Sequence, residues 1–458
     1  MTSLPKTAPG PRGHFLIGNL LAFRRDVLGL LVDSQREFGD VVCFHLGPMV
    51  IHLVAHPDHI KQVLVTHQHR YNKNTRSSSK ILGITGEGLL TSNGDAWLRQ
   101  RRLMQPVFNV QRLLAYIDLI VEATDRMLDR WQTHTAAGQP IDVASEMTRL
   151  TCTIIARVLL GADLSADIDE VERSTTIVMA HTWRRLERIF DPPLWLPTPG
   201  NLRFRSAKRR LDEIVYRLIA ERRNGPPKND LLALLLKARD DGIGGTGGGM
   251  SEVQLHNETI TLLLAGHETT ANALSWTFYL LSRHSRWRQD ARDEVVGHLG
   301  QRPVTAEDLP RLDLVTRVFQ EAMRLYPPIW IMERNVLEND MIGGYHIPAG
   351  SALEISPFVT HRHPDFWENP ESFDPDRFTS QRSASRPQYA YLPFGGGQRL
   401  CIGSHLAMLE AQVIVARVLQ RFRLELVPSC VVTLMPGITL RLRHGLLMTA
   451  HPAGSVHS

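Results

Sequence analysis

The residues with the clearest chemistry close a glycine-rich run: Phe394-Gly395-Gly396-Gly397-Gln398-Arg399-Leu400-Cys401-Ile402-Gly403. A cysteine thiolate is both nucleophile and metal ligand, and a nearby cation or a helix N-terminus lowers its pKa. Both are present here, since Arg399 stands two residues before Cys401 and residues 404–422 carry a helical apolar pattern. A lone cysteine so presented suits one axial bond to iron better than a zinc site, which needs three or four ligands.

A second set lies in Ala265-Gly266-His267-Glu268-Thr269-Thr270. Ser251 and Gln254 have capping-box spacing, and the apolar pattern from there to His284 predicts a helix over residues 251–284, a rod about 45–50 Å long. Gly266 removes a side chain where a ligand could approach the backbone. Thr269 can hydrogen-bond one turn back, and Glu268 can feed protons, so together they suit proton delivery to a bound oxygen species. A polar kink in a core helix is the competing reading. A zinc-protease site is excluded, because the second histidine of H-E-x-x-H would fall at Ala271.

Two further pairs sit one helical turn apart. Glu321 and Arg324 share a face just before Pro327-Pro328, where the helix must end. Trp97 and Arg101 read either as a core tryptophan beside a solvated basic edge or as an N–H donor and a guanidinium for an anionic cofactor, with Arg334 and Arg399 completing the set.

The elements that must hold these residues are mostly helical. The chain has 458 residues, 43% hydrophobic and 22% charged, with a net charge of +5, ordinary for a soluble globular protein. No basic run is interleaved with aromatics, so nucleic acid is not indicated, while a local basic face for an acidic partner is. Four scattered cysteines, Cys43, Cys152, Cys401 and Cys430, form no C-x-x-C pair and fit a reducing compartment. No stretch approaches the ~18 apolar residues of a membrane span. The apolar patch at residues 14–23 is broken by Gly18 and Asn19 and makes a poor signal peptide, so a cytoplasmic setting is expected. Two β-rich runs, 41–46 and 49–54, flank Gly47-Pro48 as a hairpin. Helices are expected at 57–67, 95–108, 112–134, 144–160, 202–224 and 231–239, and short strands at 341–347, 352–355, 424–427 and 438–448. A literal G-x-G-x-x-G, Gly242 to Gly247, follows a helical pattern and not a strand, so it reads as a linker.

Together these motifs resemble those of the cytochrome P450 superfamily, the haem-thiolate monooxygenases of soluble bacterial type. The cysteine loop matches F-x-x-G-x-R-x-C-x-G at every fixed position, residues 265–270 match the oxygen-activation motif, and Glu321 and Arg324 match E-x-x-R. Pro375-Asp376-Arg377-Phe378 matches the P-E-R-F element with Asp for Glu, and Trp97 to Arg101 matches W-x-x-x-R. The matches keep family order over almost the whole chain. The resemblance implies a mainly α, single domain over residues 1–458. Residues 1–40 would be a Pro/Gly-rich lead-in to a β-rich lobe beside a triangular helical body, 251–284 the central helix and 394–403 the haem loop. It implies haem b with Cys401 as proximal ligand, and Trp97, Arg101, Arg334 and Arg399 on the propionates. Phe394 would pack near the sulfur, and the backbone N–H groups after Cys401, including that of Gly403, would temper it. Glu321, Arg324 and Arg377 would form a structural triad, and Thr269 and Glu268 would manage protons during O2 activation.

By the same resemblance, substrate contacts come from Leu90, Ala265, Ile329, Trp330 and Ile331 and from residues 437–440. These are largely apolar and suit a hydrophobic guest held by shape. Met49 and Leu53 stand where soluble fatty-acid hydroxylases anchor a carboxylate, so a terpenoid or similar small lipid is favoured over a free fatty acid. A monomer is expected, taking electrons from a separate ferredoxin or flavodoxin with its NAD(P)H reductase. Arg99, Arg102, Arg417 and Arg421 would offer the docking face. Residues 191–200 would join two lid helices. A haem-thiolate isomerase or dehydratase, a peroxide-driven enzyme and a haem sensor are the competing classes. Glu268 and Thr269 favour the monooxygenase.

Overall fold

The structure is a computed structural model that describes residues 6–136, 138–161, 167–188, 191–225, 230–238 and 248–453. The chain forms two compact units, one of Met1–Ile81, Arg324–Phe373 and Thr379–Cys401, the other of Leu82–Met323, Asp374–Phe378 and Ile402–Ser458.

The first unit is built on a five-stranded sheet in the order Val41–Leu46, Met49–Val54, Ala352–Ile355, Met332–Val336, Tyr71–Asn72. The expected hairpin is present, with register Val41↔Val54 to Leu46↔Met49 and Gly47 at φ 58° in its turn. Met49–Val54 also pairs in parallel with Ala352–Ile355. Strands covered on both faces read as near-continuous apolar runs, and Ile51 through Val54 are all buried. Ile60, Leu64, Leu353, Ile355 and Leu392 fill the core beside it. Residues 341–347, expected as one strand, fold back as a hairpin, Asp340–Ile342 against Tyr345–Ile347. Gly343 and Gly344, at φ 56° and 80°, supply the left-handed positions a two-residue turn requires. The helix expected over 57–67 divides into Pro57–Lys61 and a π-helical turn, Gln62–Thr66.

The second unit is helical. Ile117–Ala136, Val143–Leu160, Pro199–Asn224, Glu252–Arg283 and Ser404–Arg421 appear where the apolar periodicity placed them, within a few residues. The first of the two expected lid helices, for which the sequence set no bounds, is Ile168–Leu186. Its buried side carries Ile168, Val171 and Val178 interspersed with Ser174, Thr175, His181 and Thr182, so its apolar stripe is interrupted by polar groups. Residues 191–198 join it to Pro199–Asn224, where Thr198 caps the next helix by accepting from Asn201 N at 3.2 Å. Asp142 Oδ1 accepts from Ala144 N at 3.1 Å and from Leu446 N at 2.9 Å. It thereby caps Val143–Leu160 and ties it to a small sheet of Ile141–Asp142, Leu447–Pro452 and Phe422–Leu426. The G-x-G-x-x-G stretch lies outside the described residues. Among the described residues no helix is long and apolar enough to cross a membrane.

Candidate functional site

In the first unit the cysteine loop is fixed by its backbone. Cys401 N donates to Phe394 O at 3.0 Å, closing the loop, and Gly395 N donates to Leu392 O at 3.0 Å. Gly395 and Gly397 have φ of 73° and 64°. A Cβ on Gly397 would stand 2.1 Å from the Leu64 carbonyl oxygen, so the loop lies directly on the π-helical turn. Two residues upstream, Leu392 N donates to His361 Nε2 at 2.9 Å, and His361 Nδ1 meets Arg324 O at 3.2 Å. Since Nε2 accepts, Nδ1 carries the proton, and the buried imidazole bridges two backbone segments as a neutral group. Arg324, itself fully buried, donates to the carbonyls of His361, Pro370 and Ser372 at 2.9, 2.7 and 3.0 Å.

The four cysteines separate by environment. Burial pushes the Cys152 thiol up to about 12 and raises that of Cys43, whereas Cys401 is exposed.

Arg334 and Arg399 come together with a residue the sequence did not single out, Lys73. Burial holds Arg334 and Arg399 down to about 10, with Arg334 further depressing Arg399. The Lys73 ammonium is pushed down to about 7 by burial and by the two guanidinium groups. Three crowded cations, each disfavoured by burial, fit a group bearing two carboxylates, as a porphyrin with two propionates does. Lys73 lies in a polar stretch, Asn72-Lys73-Asn74-Thr75, with no pattern to mark it.

In the second unit the central helix runs Glu252–Arg283. Ser251 accepts from Gln254 N at 3.2 Å. Gln254 Oε1 does not complete the capping box, because it accepts from Arg99 Nη1 at 3.1 Å. Leu263, Leu264, His267 and Thr270 are buried, yet Ala265 is exposed and Gly266, Glu268 and Thr269 are half-buried. Thr269 Oγ1 donates to Ala265 O at 2.7 Å, the one-turn-back bond expected of it. Gly266 has a different use from the one expected. A Cβ there would come within 3.0 Å of two Ile155 carbons, so its smallness serves packing against Val143–Leu160. His267 is buried and its pKa lowered by that burial. Its Nδ1 donates to Leu263 O at 3.0 Å, which ties the ring within its own helix.

Glu268 Oε1 accepts from Thr439 Oγ1 at 2.6 Å, and Thr439 Oγ1 accepts from Asn272 Nδ2 at 3.2 Å. Glu268 Oε2 is buried without a hydrogen-bond partner among the described residues. The sequence reading included Thr439 within a substrate stretch and missed its bond to the acid.

Trp97 is buried and Arg101 half-buried, one turn apart on Gly94–Met104. Gly403 is the N-cap residue of Ser404–Arg421. Glu321 and Arg377 pair inside the second unit, Nε to Oε1 at 3.3 Å, and Asp374 N donates to Glu321 Oε1 at 2.9 Å. The Asp replacing the usual Glu, Asp376, pairs instead with Arg317.

Among the apolar candidates, Leu90 is 38% exposed. Its loop is clamped to the central helix by Glu258, whose Oε2 accepts from Leu89 N at 2.9 Å. Burial pushes the Glu258 carboxyl up to about 7. Phe394, Ile329 and Ile331 keep some exposed surface, whereas Trp330 between the two isoleucines is 2% exposed and packs inward.

The four-arginine docking face needs correction. Arg417 is buried against Asp125, Nη2 to Oδ1 at 2.6 Å. Arg421 pairs with Asp129 at 2.8 Å, and Arg99 donates to the carbonyls of Gly248 and Gly249 at 3.2 and 2.8 Å. Arg417 and Arg421 lie where Ser404–Arg421 packs on Ile117–Ala136, and the acids of that helix take up their charge.

The sequence model of the family described as Cytochrome P450 matches residues 8–448. Cyclooctatin synthase of Streptomyces melanosporofaciens is 37% identical over 448 residues, covering 96% of this chain and 93% of that protein. Pentalenene oxygenase of Streptomyces avermitilis is 32% identical, covering 93% of each. Among solved structures, the heme domain of cytochrome P450DA superposes with a TM-score of 0.88 at 27% identity, covering 98% of this chain and 99% of that one.

Proposed function

The chain belongs to the cytochrome P450 family and is a P450 monooxygenase, and from that premise we propose that it inserts one oxygen atom from O2 into a cyclic terpenoid. The observation that carries the oxygenase reading is the pairing, in one unit, of an exposed Cys401 on a rigid loop with the cation cluster of Lys73, Arg334 and Arg399. When bound, haem b would supply the redox chemistry that activates O2, with Cys401 as its thiolate ligand. Lys73, Arg334 and Arg399, together with Trp97 and Arg101, would hold its propionates. Phe394 and the backbone at Gly403 would tune the sulfur.

The chain's own part is to place protons and exclude water. Glu268 would accept protons from solvent, with its carboxylate held by Thr439. Thr269 would orient the last donor, its hydroxyl already hydrogen-bonded within the helix. Leu90, Ala265, Ile329 and Ile331 would be among the substrate contacts, and their apolar side chains suit a terpene hydrocarbon or alcohol better than a fatty acid. The names of the two Streptomyces relatives support this class. Electrons would come from a separate ferredoxin or flavodoxin with its NAD(P)H reductase, docking through Arg102 and neighbours other than Arg417.

The test has two arms. Reduced protein exposed to carbon monoxide should show the red-shifted Soret band of a thiolate ligand, and its absence overturns the oxygenase reading. A spectral titration with cyclic terpenes and fatty acids should give a spin-state change with terpenes, and a response to fatty acids alone overturns the substrate class.

A further inference from the structure

Residues 14–23 form a rigid apolar knuckle in the first unit. Phe15, Leu16 and Leu21 are 87%, 68% and 62% exposed. Their exposure is built in. His14 N donates to Gly18 O at 2.9 Å and Gly18 N to His14 O at 2.7 Å, so Phe15 and Leu16 stand at the tip of a closed turn. Gly18 has φ 57° and bridges to Leu46 on the sheet. Buried Asn19 then locks the base, its Nδ2 donating to Pro11 O at 3.1 Å and its Oδ1 accepting from His45 N at 3.0 Å. The short helix Leu20–Arg25 buries none of its residues, although Phe23 turns edge-on to Phe44 at 5.4 Å.

The charged residues of the first 25 positions have one sign. Lys6, Arg12, Arg24 and Arg25 precede the first carboxylate, Asp26. Lys6 lies over the Tyr345 ring at 4.7 Å. Arg12, Arg24 and Arg25 are exposed and enter no ion pair among the described residues. Asp26 is committed to its own helix, its Oδ1 accepting from Gly29 N at 3.0 Å.

We propose that this knuckle adsorbs to an anionic lipid surface. Phe15, Leu16 and Leu21 enter the headgroup boundary, and Arg12, Arg24 and Arg25 pair with phosphates. An apolar anchor and a basic cluster are each weak alone, and together they give reversible surface binding. A second copy of the chain fits less well, because a two-fold contact through the tip would set three arginines against three arginines. The rigid turn removes the ordering cost that a disordered anchor would bear on binding.

The test uses the full-length holoenzyme, phosphatidylcholine vesicles with and without phosphatidylglycerol, and sedimentation at low and high salt. The protein should partition only onto the anionic vesicles, and less so as salt rises. Two triple variants, Phe15→Ser/Leu16→Ser/Leu21→Ser and Arg12→Gln/Arg24→Gln/Arg25→Gln, should each lose about tenfold in partitioning while their carbon monoxide spectra stay unchanged. Three results overturn the proposal: no binding by the parent protein, binding by either variant equal to that of the parent, or a parent dimer in sedimentation velocity that the serine variant converts to monomer. Because the vesicles contain no substrate, failure here is distinct from failure of the oxygenase reading.

Discussion

Thr439 holds Glu268: its hydroxyl donates to Oε1 at 2.6 Å and is itself oriented by Asn272 Nδ2 at 3.2 Å. The acid of the central helix is therefore aimed by a residue far along the chain. Thr439→Val keeps the shape and removes the donor. Product formed per NAD(P)H consumed should fall roughly two- to fivefold, the scale of one lost hydrogen bond, with substrate binding intact, and Thr439→Ser should recover it. An unchanged yield in the valine variant would show that the bond plays no part in proton delivery.

Thr269 donates to Ala265 O from the half-exposed stretch of the same helix. Thr269→Ala should leave haem and substrate spectra alone and divert electrons to peroxide. The yield should drop by about an order of magnitude or more, the usual scale for a positioned proton donor. Equal peroxide release by the variant and the parent protein would remove Thr269 from the pathway.

Lys73 is held down to about 7 beside Arg334 and Arg399. Lys73→Gln removes one of three mutually repelling cations. Without cofactor the variant should melt no lower than the parent protein, and with cofactor it should lose haem to apomyoglobin about tenfold faster, as expected for one lost charge-assisted bond. Equal loss rates would place the propionates elsewhere.

Glu258 keeps its proton to about pH 7 when folded, against an ordinary value of 4.5. A carboxyl raised on folding adds stability that is complete below its unfolded pKa and is lost as pH rises through the folded one. Melting temperature should therefore decline between about pH 5 and 8, and Glu258→Gln should flatten part of that decline, worth about 2–3 kcal/mol at most. Glu410, buried and raised to about 8, acts in the same direction. Identical melting profiles for parent and variant would show that Glu258 ionises without cost.

Arg417 and Arg421 should part company. Arg417→Glu breaks a buried pair with Asp125 and should cost about 3–5 kcal/mol. Arg421→Glu touches a partly exposed pair and should cost under about 1 kcal/mol. Denaturant melts of the two variants would show this, and comparable losses would refute the difference in burial.

Several elements of the candidate site have a local geometry that was readable in adjacent residues. The cysteine loop, Thr269 on its helix and the Glu321 and Arg377 elements are each fixed by a few adjacent residues. What escaped depends on contacts between distant segments. Thr439 and Lys73 matter through neighbours more than a hundred residues away, and nothing in their own surroundings signals it. Gly266 was assigned to ligand approach because the sequence cannot show Ile155 behind it. The bounds of Ile168–Leu186 went unplaced because Ser174, Thr175, His181 and Thr182 interrupt Ile168, Val171 and Val178 on its inward side, and Arg417 was misplaced because periodicity alone does not say which helix face meets Asp125.

The cysteine loop takes its form from glycine dihedrals, the closure of Cys401 N on Phe394 O and the seat on Leu64. Position 401 is thus a socket whose contents can be exchanged. Serine or histidine placed there would meet the same backbone frame with a different donor atom. The exposed Gln398 and Leu400 offer adjacent handles for tuning such a variant without disturbing the frame.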